Sequence, residues 1–198
     1  REPSSRPGSI IDMFSRTGLR IIGCKVAQIS VAQAMEFYGP VRDVLRKKLA
    51  PVIGRRARAI LEQQLDLKLP ADCESALADA VGLPYSDDQF SRIVEFMSGR
   101  RPETCPPDEL GQPGLVKSMV LVYEGEQAVR KIRDVLGPTD PTKAPTGTIR
   151  REFGKDIMVN TAHASDSVEN AKREMAILRI EENPVSTIIR DYLRTVAE

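Results

Sequence analysis

The residues able to do chemistry crowd into one stretch of this chain of 198 residues: Asn160, Thr161, Ala162, His163, Ala164, Ser165, Asp166 and Ser167, with Arg150 ahead and Glu174 behind. His163 is the single histidine. A neutral imidazole is nucleophilic near pH 7 and carries a phosphoryl or acyl group from one partner to another. Taken alone, a lone histidine is more often a satisfied surface or core residue than a nucleophile, so its surroundings decide the matter. Residues 159–163 read as a short strand running to its end. Asp166 and Ser167, followed by Glu169, are helix-start signals. His163 is therefore expected at a strand-to-helix junction, where the unpaired N–H groups of the helix's first turn suit phosphates. Glu174 falls two turns into that helix. A carboxylate there, accepting one imidazole N–H, fixes the tautomer and leaves the other ring nitrogen to attack.

Other segments must hold these residues in place. Residues 9–16 have helical spacing, with Ile10, Ile11 and Phe14 on one face and Gly18 as the stop. Residues 19–27 are rich in branched side chains and suit a strand. Ser30 and Gln33 form a capping box for a helix that reaches Tyr38. From residue 39 to 86 the apolar positions Val44, Leu45, Leu49, Ile53, Ala57, Ile60 and Leu61 repeat at helical spacing, punctuated by Pro51, Gly54, Pro70 and Pro84. Arg42, Arg46, Lys47, Lys48, Arg55, Arg56 and Arg58 give this segment a basic run whose local acid is Asp43. Such a run without interleaved aromatics is usually a solvated helix face, with a partner surface or phosphate contact as the alternative. Residues 87–98 carry the apolar positions Phe90, Ile93, Val94 and Met97. The proline-rich stretch 99–114 is loop. A strand over 116–123 and a helix over 126–136, capped by Gly137, precede a long loop, 138–147, of the kind that tends to be functional. A final helix begins near Asn183, with Val185, Ile188, Ile189, Tyr192 and Leu193 as an apolar stripe.

Composition sets the bounds. With 29 basic and 28 acidic residues the formal charge is +1, so a phosphate site must be built locally and global charge does not favour nucleic acid. The three cysteines, Cys24, Cys73 and Cys105, lack CxxC spacing, which points to reduced thiols in a cytoplasm rather than a disulfide framework or a zinc site. No apolar run is long enough to span a bilayer.

The order and spacing of several motifs resemble the nucleoside diphosphate kinase family. They run from Gly18-Leu19-Arg20-Ile21-Ile22 with Lys25-Val26, through Phe37-Tyr38, to Val122-Tyr123-Glu124-Gly125-Glu126. They continue with Ala128-Val129, Arg133, Leu136-Gly137-Pro138-Thr139-Asp140-Pro141, Gly147-Thr148-Ile149-Arg150 and Phe153-Gly154, and end with Asn160, His163, Ser165-Asp166-Ser167 and the helix from Glu169 to Ile177. The match is densest over 120–178.

The resemblance implies an α+β fold of the ferredoxin-like kind, an antiparallel sheet covered by helices, in a single domain over 1–198. The segment 39–86 is then an inserted helical subdomain and 99–114 an inserted loop. It implies a phosphotransferase that moves the terminal phosphate of ATP to a nucleoside diphosphate by a ping-pong route through phosphohistidine 163. Glu174 would orient the ring and Ser165 would support the transferred group. Tyr38, Phe90, Arg133, Thr139, Arg150 and Asn160 would contact the nucleotide. Magnesium would ride on the nucleotide phosphates with no protein metal site, the chain would form a homo-oligomer, and no membrane partner is expected. The family's first strand, which carries a Lys-Pro-Asp motif, has no counterpart in this sequence, and a preceding strand is expected in the natural protein. A second reading is a kinase-like binding or scaffolding module that has lost turnover and uses the basic helices.

Overall fold

The computed structural model describes residues 7–180, 192–194 and 196. It divides into two compact units, one built from residues 1–27 and 119–198, the other from 28–118. Each is taken by itself. The stripe expected at Val185, Ile188 and Ile189 lies outside the described residues.

In the first unit α1 (Pro7–Ser15) ends at Gly18, whose φ of 74° is the left-handed conformation that a glycine adopts without strain. β1 (Arg20–Ala27) follows and pairs with β2 (Ser118–Glu124) in a two-stranded sheet. Arg20 meets Glu124 while Gly23 faces Val122, a falling register that makes the pair antiparallel. Then come α6 (Ala128–Leu136), the short α7 (Ile149–Phe153) and α8 (Val168–Ile177). The intervening helices, α2 to α5, belong to the second unit. Phe14 of α1, Leu136 of α6 and Ile149 of α7 form the buried core. Ile132, Val135, Tyr123 and Phe153 pack around it, as do Ala162 and Ala164.

The strand expected over 159–163 is absent, and the backbone shows why. The N–H groups of Lys155 and Asp156 both donate to the Val159 carbonyl, and the Asp156 carboxylate takes the N–H groups of Met158 and Val159 at 2.8 and 2.7 Å. Thr161 then turns left-handed, with φ of 81°. Local turns have used the groups that a ladder would need. His163 therefore stands on a loop.

The second unit is helical: α2 (Val31–Phe37), α3 (Gly39–Leu65), α4 (Cys73–Leu77), a π-helical turn over Ala78–Gly82, and α5 (Leu83–Ser98). The Ser30 capping box is formed, its hydroxyl accepting from the Gln33 N–H and the Gln33 side chain accepting from the Ser30 N–H. Pro51 and Gly54 do not punctuate the helix. α3 runs through both for 27 residues, because Ala50 and Gly54 are the face it buries. There the Cβ position of Gly54 lies 2.8 Å from the Ala78 nitrogen, and that of Gly82 lies 2.3 Å from the Ala50 oxygen. Small residues four apart on both segments let the two backbones touch, and that contact compensates for the bond lost at Pro51.

Much of the basic run is consumed inside this unit. Asp87 of α5 accepts from Arg46 Nε at 2.8 Å and Nη2 at 2.6 Å, and from Arg42 Nε at 3.0 Å. Arg58 pairs with Glu62 and also donates to the Leu69 carbonyl at 2.6 Å, and Arg55 lies 3.5 Å from Glu74. Hydrogen bonds from Arg46 and Arg42 hold the Asp87 carboxyl far below the usual carboxylate range. A carboxyl depressed in the folded state contributes stability fully above its unfolded value near ~3.9 and loses it as pH falls toward the folded one. Asp87→Asn is therefore expected to lower stability at neutral pH and to flatten the dependence of the urea midpoint on pH below about 4. An acid limb as steep in the variant as in the wild type would show that Asp87 does not couple to folding.

Candidate active site

Three segments of the first unit bring the chemical groups together. Ala162 and Ala164 are anchored against the Phe14, Leu136 and Ile149 core. With both neighbours held against the core, the His163 ring lies on the outer side of the loop. Its side chain is 39% exposed. α8 begins at Ser167, whose hydroxyl accepts from the Asn170 N–H as an N-cap. Two turns later Glu174 faces back toward the loop with 8% exposure.

The histidine and the carboxylate meet as the sequence leads one to expect. His163 Nε2 lies 3.2 Å from both oxygens of Glu174. The Ser165 hydroxyl makes a short hydrogen bond to Glu174 Oε2. A buried carboxylate is costly unless its lone pairs are satisfied, and here hydroxyl and imidazole converge on it. A neutral imidazole that donates from Nε2 to Glu174 carries its lone pair on Nδ1, the form that attacks an electrophile. A carboxylate partner favours a proton on the nitrogen that faces it, because an anionic carboxylate accepts and does not donate.

The remaining predicted residues fall into four groups. Arg150 of α7 is near the histidine, but its guanidinium reaches carbonyls, Nη1 to Gly137 and Nη2 to Ala162, each at 2.9 Å. It thus ties the end of α6 to the residue before His163. Arg133 of α6 is exposed beside a groove that Asp166, Ser167 and Val168 also line. Hydrogen bonding from Asn170 Nδ2 holds the Asp166 carboxyl below its ordinary range, with the charge of Arg133 adding to the effect. Thr139 is exposed on the loop after Gly137, and Asn160 donates to the Ile157 carbonyl at 2.7 Å. Tyr38 and Phe90 belong to the second unit. Tyr38 caps α2 with its ring 5.0 Å from that of Phe37. Phe90 is buried at 4% exposure, with the Arg42 guanidinium 5.6 Å above its ring.

Lys25, quoted above as a motif residue without a role, donates from β1 to the carbonyls of Leu178 and Arg179 at 3.1 and 2.9 Å and so places a cation at the negative end of α8. Its signal was faint, a single lysine in a strand 149 positions before Glu174 in a register that only the fold reveals. Among the described residues no three carboxylate, thiol or imidazole groups converge as a metal site, and no helix is long and apolar enough to cross a membrane.

Comparison with known proteins bears on the same segment. The family model described as nucleoside diphosphate kinase matches residues 114–183. A nucleoside diphosphate kinase of Anaeromyxobacter dehalogenans is 55% identical over 169 residues, covering 85% of this chain and 75% of the relative. One of Campylobacter hominis is likewise 55% identical, over 85% of this chain and 80% of its own length. An NDP kinase of Pyrobaculum aerophilum aligns in structure with a TM-score of 0.56 at 24% identity, covering 86% of this chain and 85% of that one, which supports the ferredoxin-like α+β fold. With the His163–Glu174–Ser165 cluster standing inside the matched segment and two relatives at 55% identity over most of the chain, the chain belongs to the nucleoside diphosphate kinase family.

Proposed function

We propose that this chain moves the terminal phosphate of a nucleoside triphosphate to a nucleoside diphosphate through His163. The lone pair of Nδ1 attacks the γ-phosphorus, the bond from that phosphorus to the bridging oxygen breaks, and the diphosphate leaves with the bond's electrons. A second diphosphate then attacks phosphohistidine 163 with a terminal oxygen and returns Nδ1 to its starting state. The observation that carries this is the double contact of Nε2 with Glu174, which holds the ring in the attacking tautomer.

Phosphoryl transfer asks for positioning and positive charge more than for acid–base chemistry. Arg133 beside the groove is suited to fork onto phosphate oxygens. Arg150 of α7, and Thr139 and Asn160 on loops of the same unit, are in this reading donors that turn to the nucleotide when it binds. Tyr38 is kept as a phosphate contact through its resemblance to the family's tyrosine. Phe90, buried within its own unit, is assigned to packing rather than to the base. Magnesium enters with the nucleotide as part of the substrate, its remaining ligands being water, which is its habit. Ile22 and Val26 of β1 and Met119 of β2 are exposed apolar strand residues of the kind a second copy covers, which supports a homo-oligomer. The three free thiols suit a reducing cytoplasm. The scaffolding alternative loses ground, since Arg42, Arg46, Arg55 and Arg58 are spent on pairs within their unit.

The test is incubation of the full-length protein with γ-labelled ATP and magnesium, followed by a chase with a nucleoside diphosphate. The label is expected to be acid-labile and alkali-stable, as a phosphoramidate is, and to leave in the chase. A verified full-length protein that takes no label would overturn the reading. Glu174→Ala is expected to slow labelling about ten- to a hundredfold without abolishing it, the ~1.5–3 kcal/mol of a hydrogen bond to a charged group. Single-turnover rates measure this, and an unchanged rate would remove Glu174 from the mechanism.

A further inference from the structure

We infer that Asn170 and Arg173 are positioning residues that connect the groove carboxylate Asp166 to Glu174, and so set how firmly His163 is held. This deepens the phosphohistidine reading and rests on it. Glu174 is in the last turn of α8, where the helix dipole is negative, and it is buried. Both conditions disfavour a carboxylate. Two donors, His163 and Ser165, offset part of that cost without bringing a fixed charge. Arg173 supplies the charge: its Nη2 lies 3.8 Å from Glu174 Oε1, and the side chain is two-thirds buried at 33% exposure.

Residues adjacent on a helix do not face each other, so Arg173 needs something to bend it toward its neighbour. Asn170 does this. Its Oδ1 accepts from Arg173 Nε at 3.3 Å, while its Nδ2 donates to Asp166 Oδ1 at 2.6 Å. The two contacts fix the amide's orientation, because only the oxygen accepts and only the nitrogen donates. A continuous path then runs from Asp166, which lines the groove with Arg133, through Asn170 and Arg173 to Glu174, and from there to His163 and Ser165. Asp166, Asn170 and Arg173 follow one another at spacings of four and three along α8 and the residues just before it, and Glu174 is the next residue after Arg173. The carboxylate at the groove and the carboxylate at the histidine are thus mechanically joined. Placing negative phosphate at the groove is expected to be felt at the ring through them.

The experiment uses Arg173→Met, Arg173→Lys and Asn170→Ala in the full-length protein, with two readouts. The first is the nitrogen chemical shifts of the His163 imidazole without nucleotide, which report the tautomer and stand whether or not the protein takes label. Wild type is expected to hold the proton on Nε2. Arg173→Met and Asn170→Ala are expected to give a mixture of tautomers, and Arg173→Lys to restore the single form in part. The second is single-turnover labelling, expected to fall about tenfold in Arg173→Met while the nucleotide concentration giving half-maximal rate changes little. In a Glu174→Gln background the Arg173→Met change is expected to have no further effect, because its action runs through Glu174. A single Nε2-protonated form in Arg173→Met, or an equal loss in the Glu174→Gln background, would overturn the inference. Wild-type protein that shows the tautomer but takes no label would instead overturn the kinase reading alone.

Discussion

Replacing His163 by Gln is expected to abolish both label uptake and nucleotide exchange. Where an enzyme's covalent nucleophile has been removed, rates fall on the order of 10⁶-fold, and here no other histidine can take the phosphoryl group. Gln is the sharper choice over Ala because its amide N–H can still donate toward Glu174, whose side chain is buried to 11% exposure and would otherwise lose one of its donors. The fold should therefore persist: the anchors of the loop are Ala162 and Ala164, not the ring between them. Circular dichroism and the urea midpoint are expected to match wild type within about 1 kcal/mol, since His163 is largely a surface residue. Retention of even a thousandth of the wild-type exchange rate with a normal fold would mean that some other group carries the phosphate.

What the sequence revealed and what it concealed separate by range. Features that depend on a few neighbouring residues were legible: the Ser30 capping box, the Gly18 stop, the Gly137 cap after α6, and the Ser167 start of α8 with Glu174 two turns later. The His163–Glu174 contact followed from helix periodicity once that start was placed. The region before the histidine was misread as a strand because Val159 and its neighbours have strand character, while the turn is set by Asp156 and the left-handed Thr161, whose competition for backbone groups leaves little mark on composition. Arg150 was legible as a cation near the site, yet its carbonyl partners, at Gly137 and Ala162, are set by how α7 packs. Lys25 and Asp87 act on residues far along the chain. In each, the residue type was visible and the partner was not.

The same limit makes Gly82→Ala the substitution where local and tertiary reasoning disagree most. Gly82 has φ of −70° and ψ of −42°, ordinary helical values. By propensity alone alanine there is better by about 1 kcal/mol, and it also lowers the entropy of the unfolded chain. Against that, the new methyl would sit 2.3 Å from the Ala50 oxygen and 2.7 Å from its Cα. These are backbone atoms within α3 and cannot rotate aside, so the two segments must part. Overpacking of this kind typically costs 1–3 kcal/mol, and here the separation also loosens the Gly54–Ala78 contact one turn away, where the Cβ position already lies 2.8 Å from a backbone nitrogen. Because the clash is with backbone atoms, the steric cost is expected near the upper end of that range and above the propensity gain, for a net loss of about 1–2 kcal/mol in the helical unit. Gly39→Ala is the matched control: nothing lies within 4 Å of its Cβ position, so it should be neutral or slightly stabilising. Urea unfolding followed by circular dichroism reads both variants against wild type. If Gly82→Ala unfolds at or above the wild-type midpoint, the close crossing of α3 with the Ala78–Gly82 turn does not hold the unit together, and the passage of α3 through Pro51 needs another cause.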